Sequence, residues 1–332
     1  MTAFGERSSS PSTQNTHDSP NENTTTGARA ARDPRGARPG PSVTGAPCAT
    51  TRPGCPRDQR PVRGGWTANP LPLPRKPIRT MCRLLGWATR TPVTLHGLLG
   101  DEDLVDFTEL SVKHGDGWGV ARATQSGVKV HKRPDTARDS RSFALWARTH
   151  ATDLGMAHLR WATMGLGVGI ENTHPFTDGR VAFAHNGSVL SPASLDPLVA
   201  PGVARLRRGT TDSERYFLAL LTRTADGATP HEALRDTVDE IARTSPFTSL
   251  NCLLMTPDEL IALCRYDEDG PLEDKDPEYY RLRYRVTDDA VVVSSSGWGR
   301  GWQELANGDL LVVRRGTLAS TVLSGERLST AR

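Results

Sequence analysis

Apolar and polar positions fall into regular periods only from residue 81 onward. Arg83–Ala88 reads as a buried strand, and Gly117–Ala123 and Val128–Arg133, on either side of Gln125-Ser126-Gly127, read as a hairpin. The spacing over Arg138–His150 predicts a helix with Phe143, Trp146 and Ala147 toward one side. Gly155–Trp161 and Val181–His185 are apolar runs that end in polar residues. Thr211–Thr222 predicts a second helix, with Thr211 and Glu214 at capping-box spacing. Another helix follows Thr229-Pro230, with Glu232 in the capping-box position and Leu234, Val238 and Ile241 at helical spacing. Strands are expected near Leu250–Met255, Leu260–Arg265, Ala290–Ser295 and Leu310–Arg314, the last after an Asn307-Gly308 turn. Strand runs at both ends with helices grouped between them point to an α+β fold rather than a βαβ alternation. Gly165-x-Gly167-x-Gly169 has neither the spacing nor the following helix of a phosphate loop.

Composition divides the chain at the same place. Residues 1–80 hold 13 of the 24 prolines and 12 Lys/Arg against 5 Asp/Glu, with no sustained periodicity. Such a stretch buries too little apolar surface to offset its ordering entropy. Residues 1–81 are therefore expected to be a disordered leader, either a mis-assigned start or a propeptide that is removed. An organellar transit peptide is the lesser alternative, because the segment is Pro-rich and not amphipathic. The net charge of +3 is the sum of +7 in residues 1–80 and −4 in the remainder, so the basic charge belongs to the leader and a nucleic-acid partner is not expected. No apolar run approaches the roughly 18 residues of a membrane span. Of five cysteines, Cys48 and Cys55 lie in the leader, while Cys252 and Cys264 sit in apolar strand-like runs. The odd count and the spacing suit neither a disulfide framework nor a zinc site, and a reducing cytoplasmic setting is the expectation.

The fifth cysteine carries the candidate chemistry. Cys82 follows Met81 directly. If the chain begins there, one residue holds a thiol and a free amine, and an amine with a pKa of roughly 7.7–8.0 can accept a proton near neutral pH. Three downstream groups are candidates to complete a site. In His158-Leu159-Arg160-Trp161-Ala162-Thr163, a strand end presents a guanidinium fork suited to a carboxylate, beside an aromatic wall; a solvated charge is the simpler alternative. In Phe183-Ala184-His185-Asn186-Gly187, an amide and a glycine N–H can donate together to an oxyanion, or form an ordinary turn. In Thr210-Thr211-Asp212-Ser213-Glu214, Asp212 at a helix start can pair with an ammonium group, or serve only the helix dipole.

Taken in order, the N-terminal cysteine, Asp116-Gly117-Trp118-Gly119, Arg160-Trp161-Ala162-Thr163, His185-Asn186-Gly187 and Thr211-Asp212-Ser213-Glu214 resemble the class II glutamine amidotransferases. The resemblance covers residues 82–332 and is densest over 82–220. It implies a four-layer αββα sandwich of the N-terminal-nucleophile hydrolase type. It also implies Cys82 as nucleophile with its own amine as base, and Asn186 and Gly187 as the oxyanion hole. Arg160, Trp161, Thr163 and Asp212 would bind the substrate's amino-acid head, with Asp116 and His185 organising the site. Met164 stands where the glucosamine-synthase branch has histidine, which leaves acceptor selectivity open. Met81-Cys82-Arg83-Leu84-Leu85-Gly86 and His114-Gly115-Asp116-Gly117-Trp118-Gly119 look most like the short, stand-alone members. The expected reaction is hydrolysis of glutamine or a γ-glutamyl small molecule through a Cys82 thioester, without cofactor or metal. A separate synthase is a possible partner. An N-terminal-cysteine acylase and a non-catalytic glutamine-sensing domain are the alternatives.

Overall fold

The structure, a computed structural model of the chain, describes residues 82–113, 116–160, 168–269 and 280–325. The expected leader, Trp161, Thr163 and the first two glycines of the Gly-x-Gly-x-Gly run lie outside the described residues.

β1 (Arg83–Val93) is central to the first sheet. It pairs antiparallel with β4 (Thr152–Leu159) on one side and β10 (Ala290–Ser294) on the other. β2 (Trp118–Ala123), β3 (Val128–Arg133), β9 (Leu282–Val286) and β11 (Gln303–Leu305) complete the seven-stranded order β11-β9-β10-β1-β4-β2-β3. The second sheet runs β13-β12-β8-β7-β6-β5. Its strands are β5 (Phe176–Thr177), β6 (Ala182–Asn186), β7 (Asn251–Met255), β8 (Glu259–Leu263), β12 (Leu310–Arg314) and β13 (Ser320–Leu323).

The two-residue period of a strand sorts side chains into three cores. Leu84 and Ala88 of β1 point between the sheets, with Met156, Ala184, Leu253, Leu260 and Leu311. Leu85 and Trp87 point the other way, onto α1 (Leu95–Glu109) and α2 (Arg141–Thr149). On the far side, Phe183, Cys252 and Leu254 pack under α4 (Asp212–Ala225) and α5 (Pro230–Thr244), after the short α3 (Pro201–Ala204). The result is four layers, α-β-β-α, as the resemblance implies.

Several elements differ from their expected bounds. The helix expected over 138–150 begins at Arg141, because the Ser140 hydroxyl accepts from the Phe143 N–H and caps it. The helix α1 follows no single apolar period, because Gly100 at φ 76° kinks it between Leu99 and Leu104. The Thr211/Glu214 capping box is only half formed. Thr211 accepts from the Glu214 N–H (3.1 Å), but the Glu214 carboxylate turns to the Arg208 and Gly209 N–H groups (2.8 and 2.7 Å). At α5 the carboxylate of Glu232 does reach back to the Thr229 N–H (3.0 Å).

Arg315 ties the sheets together at one end of the sandwich. Its guanidinium spans both Asp153 oxygens (2.8 and 2.7 Å) and donates to the Thr124 carbonyl (3.2 Å) of the first sheet and the Pro257 carbonyl (3.0 Å) of the second. Arg315→Ala should destabilise the fold by about 1–3 kcal/mol in urea unfolding, and Arg315→Lys, which lacks the fork, should recover only part of that loss.

Candidate active site

The pairing of β1 with β4 puts Arg83 opposite Leu159, so Cys82 and Arg160 are neighbours just beyond the ladder. Even-numbered residues of both strands face the gap between the sheets, which directs Cys82, His158 and Arg160 into it. Arg160 is 3% exposed. Its backbone N–H donates to the Gly117 carbonyl (2.8 Å) and its guanidinium to the Asp116 carbonyl (3.2 Å), so the Asp116-Gly117 bend positions it. Burial lowers the Arg160 pKa, opposed by the nearby Cys82, Asp116 and Glu171. The three described cysteines differ sharply. Burial pushes the Cys252 and Cys264 thiols up to about 12, whereas Cys82 is only half-buried.

Across the gap, β6 carries Asn186 at its last position, 1% exposed. Neither atom of its amide group finds a hydrogen-bond partner among the described residues. Its ladder partner, Asn251, is the opposite case. Asn251 donates to the Tyr280 carbonyl (2.5 Å) and accepts from the Arg265 N–H (2.7 Å). A buried unpaired amide costs about 1–3 kcal/mol, so Asn186 is held against its own stability interest at the mouth of the gap. Gly187 follows at φ 149°, where a Cβ would collide with the Ser249 carbonyl. The chain then turns so that the Val189 N–H donates to Asp212 Oδ2 (2.7 Å), which brings the start of α4 beside the Asn186-Gly187 corner.

His185 points to the helical side of β6, away from the gap. Its Nε2 faces the Ser249 carbonyl (2.9 Å), which can only accept, so Nε2 carries the proton and Nδ1 accepts from the Ser213 hydroxyl (2.9 Å). It thereby joins β6, β7 and α4 and stands behind the site. Cys82, Arg160, Asp116, Asn186, Gly187 and Asp212 thus gather at one end of the sandwich, with His185 as backing; Trp161 and Thr163 lie outside the described residues.

The sequence reading missed two contributors. His174 contacts His158 (ring centroids 4.3 Å), and both of its nitrogens lack a partner among the described residues. Its carbonyl crosses Gly119 so closely that any Cβ there would clash. Lys132, on an alternating edge strand, reads as solvated, but its Nζ donates to the Thr173 carbonyl (2.5 Å) and lies 5.2 Å from the Phe176 ring centre. Burial pushes it down to about 8, against the pull of Glu214. No local signal marks these residues, because long-range strand pairing is what buries them.

Burial holds His174 well below the ordinary histidine range, reinforced by His158, His185, Arg160 and Lys132. Burial also lowers His185, against the opposing pull of Asp212 and the Ser249 carbonyl. Between these depressed values and about 6.5 the unfolded chain binds more protons than the folded one, so stability must fall as pH drops through that window. The unfolding free energy from urea denaturation should decline from about pH 7 to about pH 5, by at most about 1.4 kcal/mol per pH unit for each histidine, and His174→Gln should flatten the slope. An unfolding free energy independent of pH in the parent protein would contradict the burial of both imidazoles.

Two stacked antiparallel sheets between helical layers form an α+β sandwich of the N-terminal-nucleophile hydrolase fold. The model of the class II glutamine amidotransferase family matches residues 81–331, and the chain belongs to that family as an enzyme of this kind. A γ-glutamyl-hercynylcysteine sulfoxide hydrolase from Mycobacterium tuberculosis is 30% identical over 190 residues, covering 55% of this chain and 76% of the relative. A glutamine–fructose-6-phosphate aminotransferase from Caulobacter vibrioides is 30% identical over 162 residues, which is 48% of this chain but only 25% of that longer protein. A solved glutamine aminotransferase class-II domain protein from Silicibacter pomeroyi has the same fold, with a TM-score of 0.53 and 21% identity over 73% of this chain and 100% of its own. Hydrolysis of glutamine or γ-glutamyl amides is supported at the level of the family. No helix among the described residues is long and apolar enough to cross a membrane.

Proposed function

We propose that this enzyme hydrolyses the γ-amide of a γ-glutamyl small molecule through a thioester on Cys82. The observation that carries the proposal is Asn186, a buried amide with no partner among the described residues, on the strand facing Cys82. A donor kept unpaired in a low-dielectric site suits a charge that appears only during reaction. The substrate's α-carboxylate pairs with Arg160 and its α-ammonium with Asp212, while Trp161 and Thr163 complete that pocket by family pattern. Asp116 and His185 hold the site in place without reacting.

The Cys82 amine, freed from residues 1–81, takes the thiol proton, directly or through water. The thiolate attacks the γ-carbonyl carbon, and the oxyanion is stabilised by the Asn186 amide and the Gly187 N–H. The C–N bond breaks as the amine departs with the proton from the Cys82 ammonium. Water then adds to the thioester, releasing glutamate and the free thiol. The M. tuberculosis relative, named as a γ-glutamyl hydrolase, supports a hydrolase over an ammonia donor fixed to a synthase; the cysteine pattern suits a reducing, cytoplasmic setting.

Cys82→Ala should abolish glutamate release and block labelling by 6-diazo-5-oxo-norleucine, read by intact mass. Asn186→Ala should lower kcat by about 10²–10³-fold with little change in KM, as loss of one oxyanion donor does. Arg160→Ala should act mainly on KM. Protein that retains residues 1–81 should be inactive, because its Cys82 nitrogen is an amide; full turnover by an uncleaved chain would refute the role of the amine.

A further inference from the structure

The two sides of Cys82 differ in chemistry. On one side stand β4 and Arg160. On the other stands β10, whose end is bound to the start of β1: the Leu84 N–H donates to Ser295 Oγ (3.0 Å) and the Ser295 N–H to the Leu84 carbonyl (3.1 Å). Beyond β10 lies β9, paired Ser294 to Arg283, with Tyr280 just ahead of it. Facing this side from the second sheet is Tyr266, just past the end of β8 and bridged to Ser249 just ahead of β7. The two tyrosine rings stack across the gap, with centroids 6.1 Å apart and planes 18° from parallel.

Both tyrosines are firmly anchored. The side chain of Asn307 grips the backbone of Tyr266 twice, accepting from its N–H (2.9 Å) and donating to its carbonyl (3.0 Å). The Tyr280 carbonyl accepts from Asn251, the ladder partner of Asn186, so one amide links the oxyanion strand to the aromatic pair. Tyr280 is 1% exposed, whereas Tyr266 is half-buried. Neither residue has a part in the hydrolytic steps described above.

On the proposed reading the amino-acid head is held on the β4 side of Cys82, and β10 and β9 lie on the other side, where the leaving amine would extend. We infer that Tyr266, backed by Tyr280, is a specificity-determining residue for the leaving amine, and that the preferred substrates are γ-glutamyl amides of amines with a flat, aromatic body. This inference rests on the hydrolase reading. Ammonia, the leaving group of glutamine, is too small to use such a wall, whereas an aromatic amine can stack on it.

The test compares γ-glutamylanilide, γ-glutamylmethylamide and glutamine as substrates of the processed enzyme and its Tyr266→Ala and Tyr266→Phe variants. Tyr266→Ala should lower the anilide-to-glutamine ratio of kcat/KM by about tenfold, while Tyr266→Phe keeps it within about twofold. The methylamide should follow glutamine. Retained glutamine turnover shows that the variant is folded. An unchanged ratio in Tyr266→Ala, equal losses on all three substrates, or a parent enzyme that hydrolyses glutamine but refuses the anilide would each overturn the inference. A parent enzyme that hydrolyses none of them and leaves Cys82 unlabelled would instead remove the hydrolase reading itself.

Discussion

Everything at the candidate site depends on the register in which β1 is held between β4 and β10. A strand slipped by one residue turns every side chain to the opposite face. Here that would drive Cys82 toward the helices and put Arg83 in the gap. The register is secured along β1 by Leu84, Gly86 and Ala88 on one face and Leu85 and Trp87 on the other, all but Gly86 completely buried. Gly86 leaves room for Leu253 and Leu260 of the opposite sheet. Apolar packing remote from the thiol is therefore what aims it.

On that frame, polar groups are buried with unequal satisfaction. Asn251 and Glu214 have their hydrogen bonds supplied by backbone groups and fix the β7 end and the loop before α4. His185 is held at both nitrogens. Asn186 and His174, buried to the same degree, are not satisfied by protein atoms among the described residues. Adjacent asparagines in one ladder with opposite fates separate support from function: the satisfied one stiffens the strand end, and the other is left able to meet a ligand.

Much of this was readable in the chain before folding. Near-continuous apolar runs locate β1, β2, β7 and β12, which are covered on both faces, alternation locates β3, and helical spacing locates α4 and α5. The candidate nucleophile, the guanidinium, the amide-glycine pair and the acid are all visible as ordered motifs. The helix α1 is not, since a kink at Gly100 splits its apolar stripe. The edge strands β5, β11 and β13 are too short or too exposed to leave a pattern. Glu214 has capping-box spacing, but its carboxylate is claimed by the loop before the helix, and local spacing carries no information about that competition.

The sequence by itself determined which chemical groups are present and which face of each strand they occupy, because periodicity and residue type are local properties. Only the tertiary structure decided which groups meet. It sets β6, which carries Asn186, across from β1 and turns His185 to the helical side of its sheet. It buries Lys132 and His174 and stacks Tyr266 on Tyr280 from opposite sheets. Those outcomes come from long-range pairing and burial, which alter a group's hydrogen bonding and proton affinity in ways that its sequence neighbours do not encode.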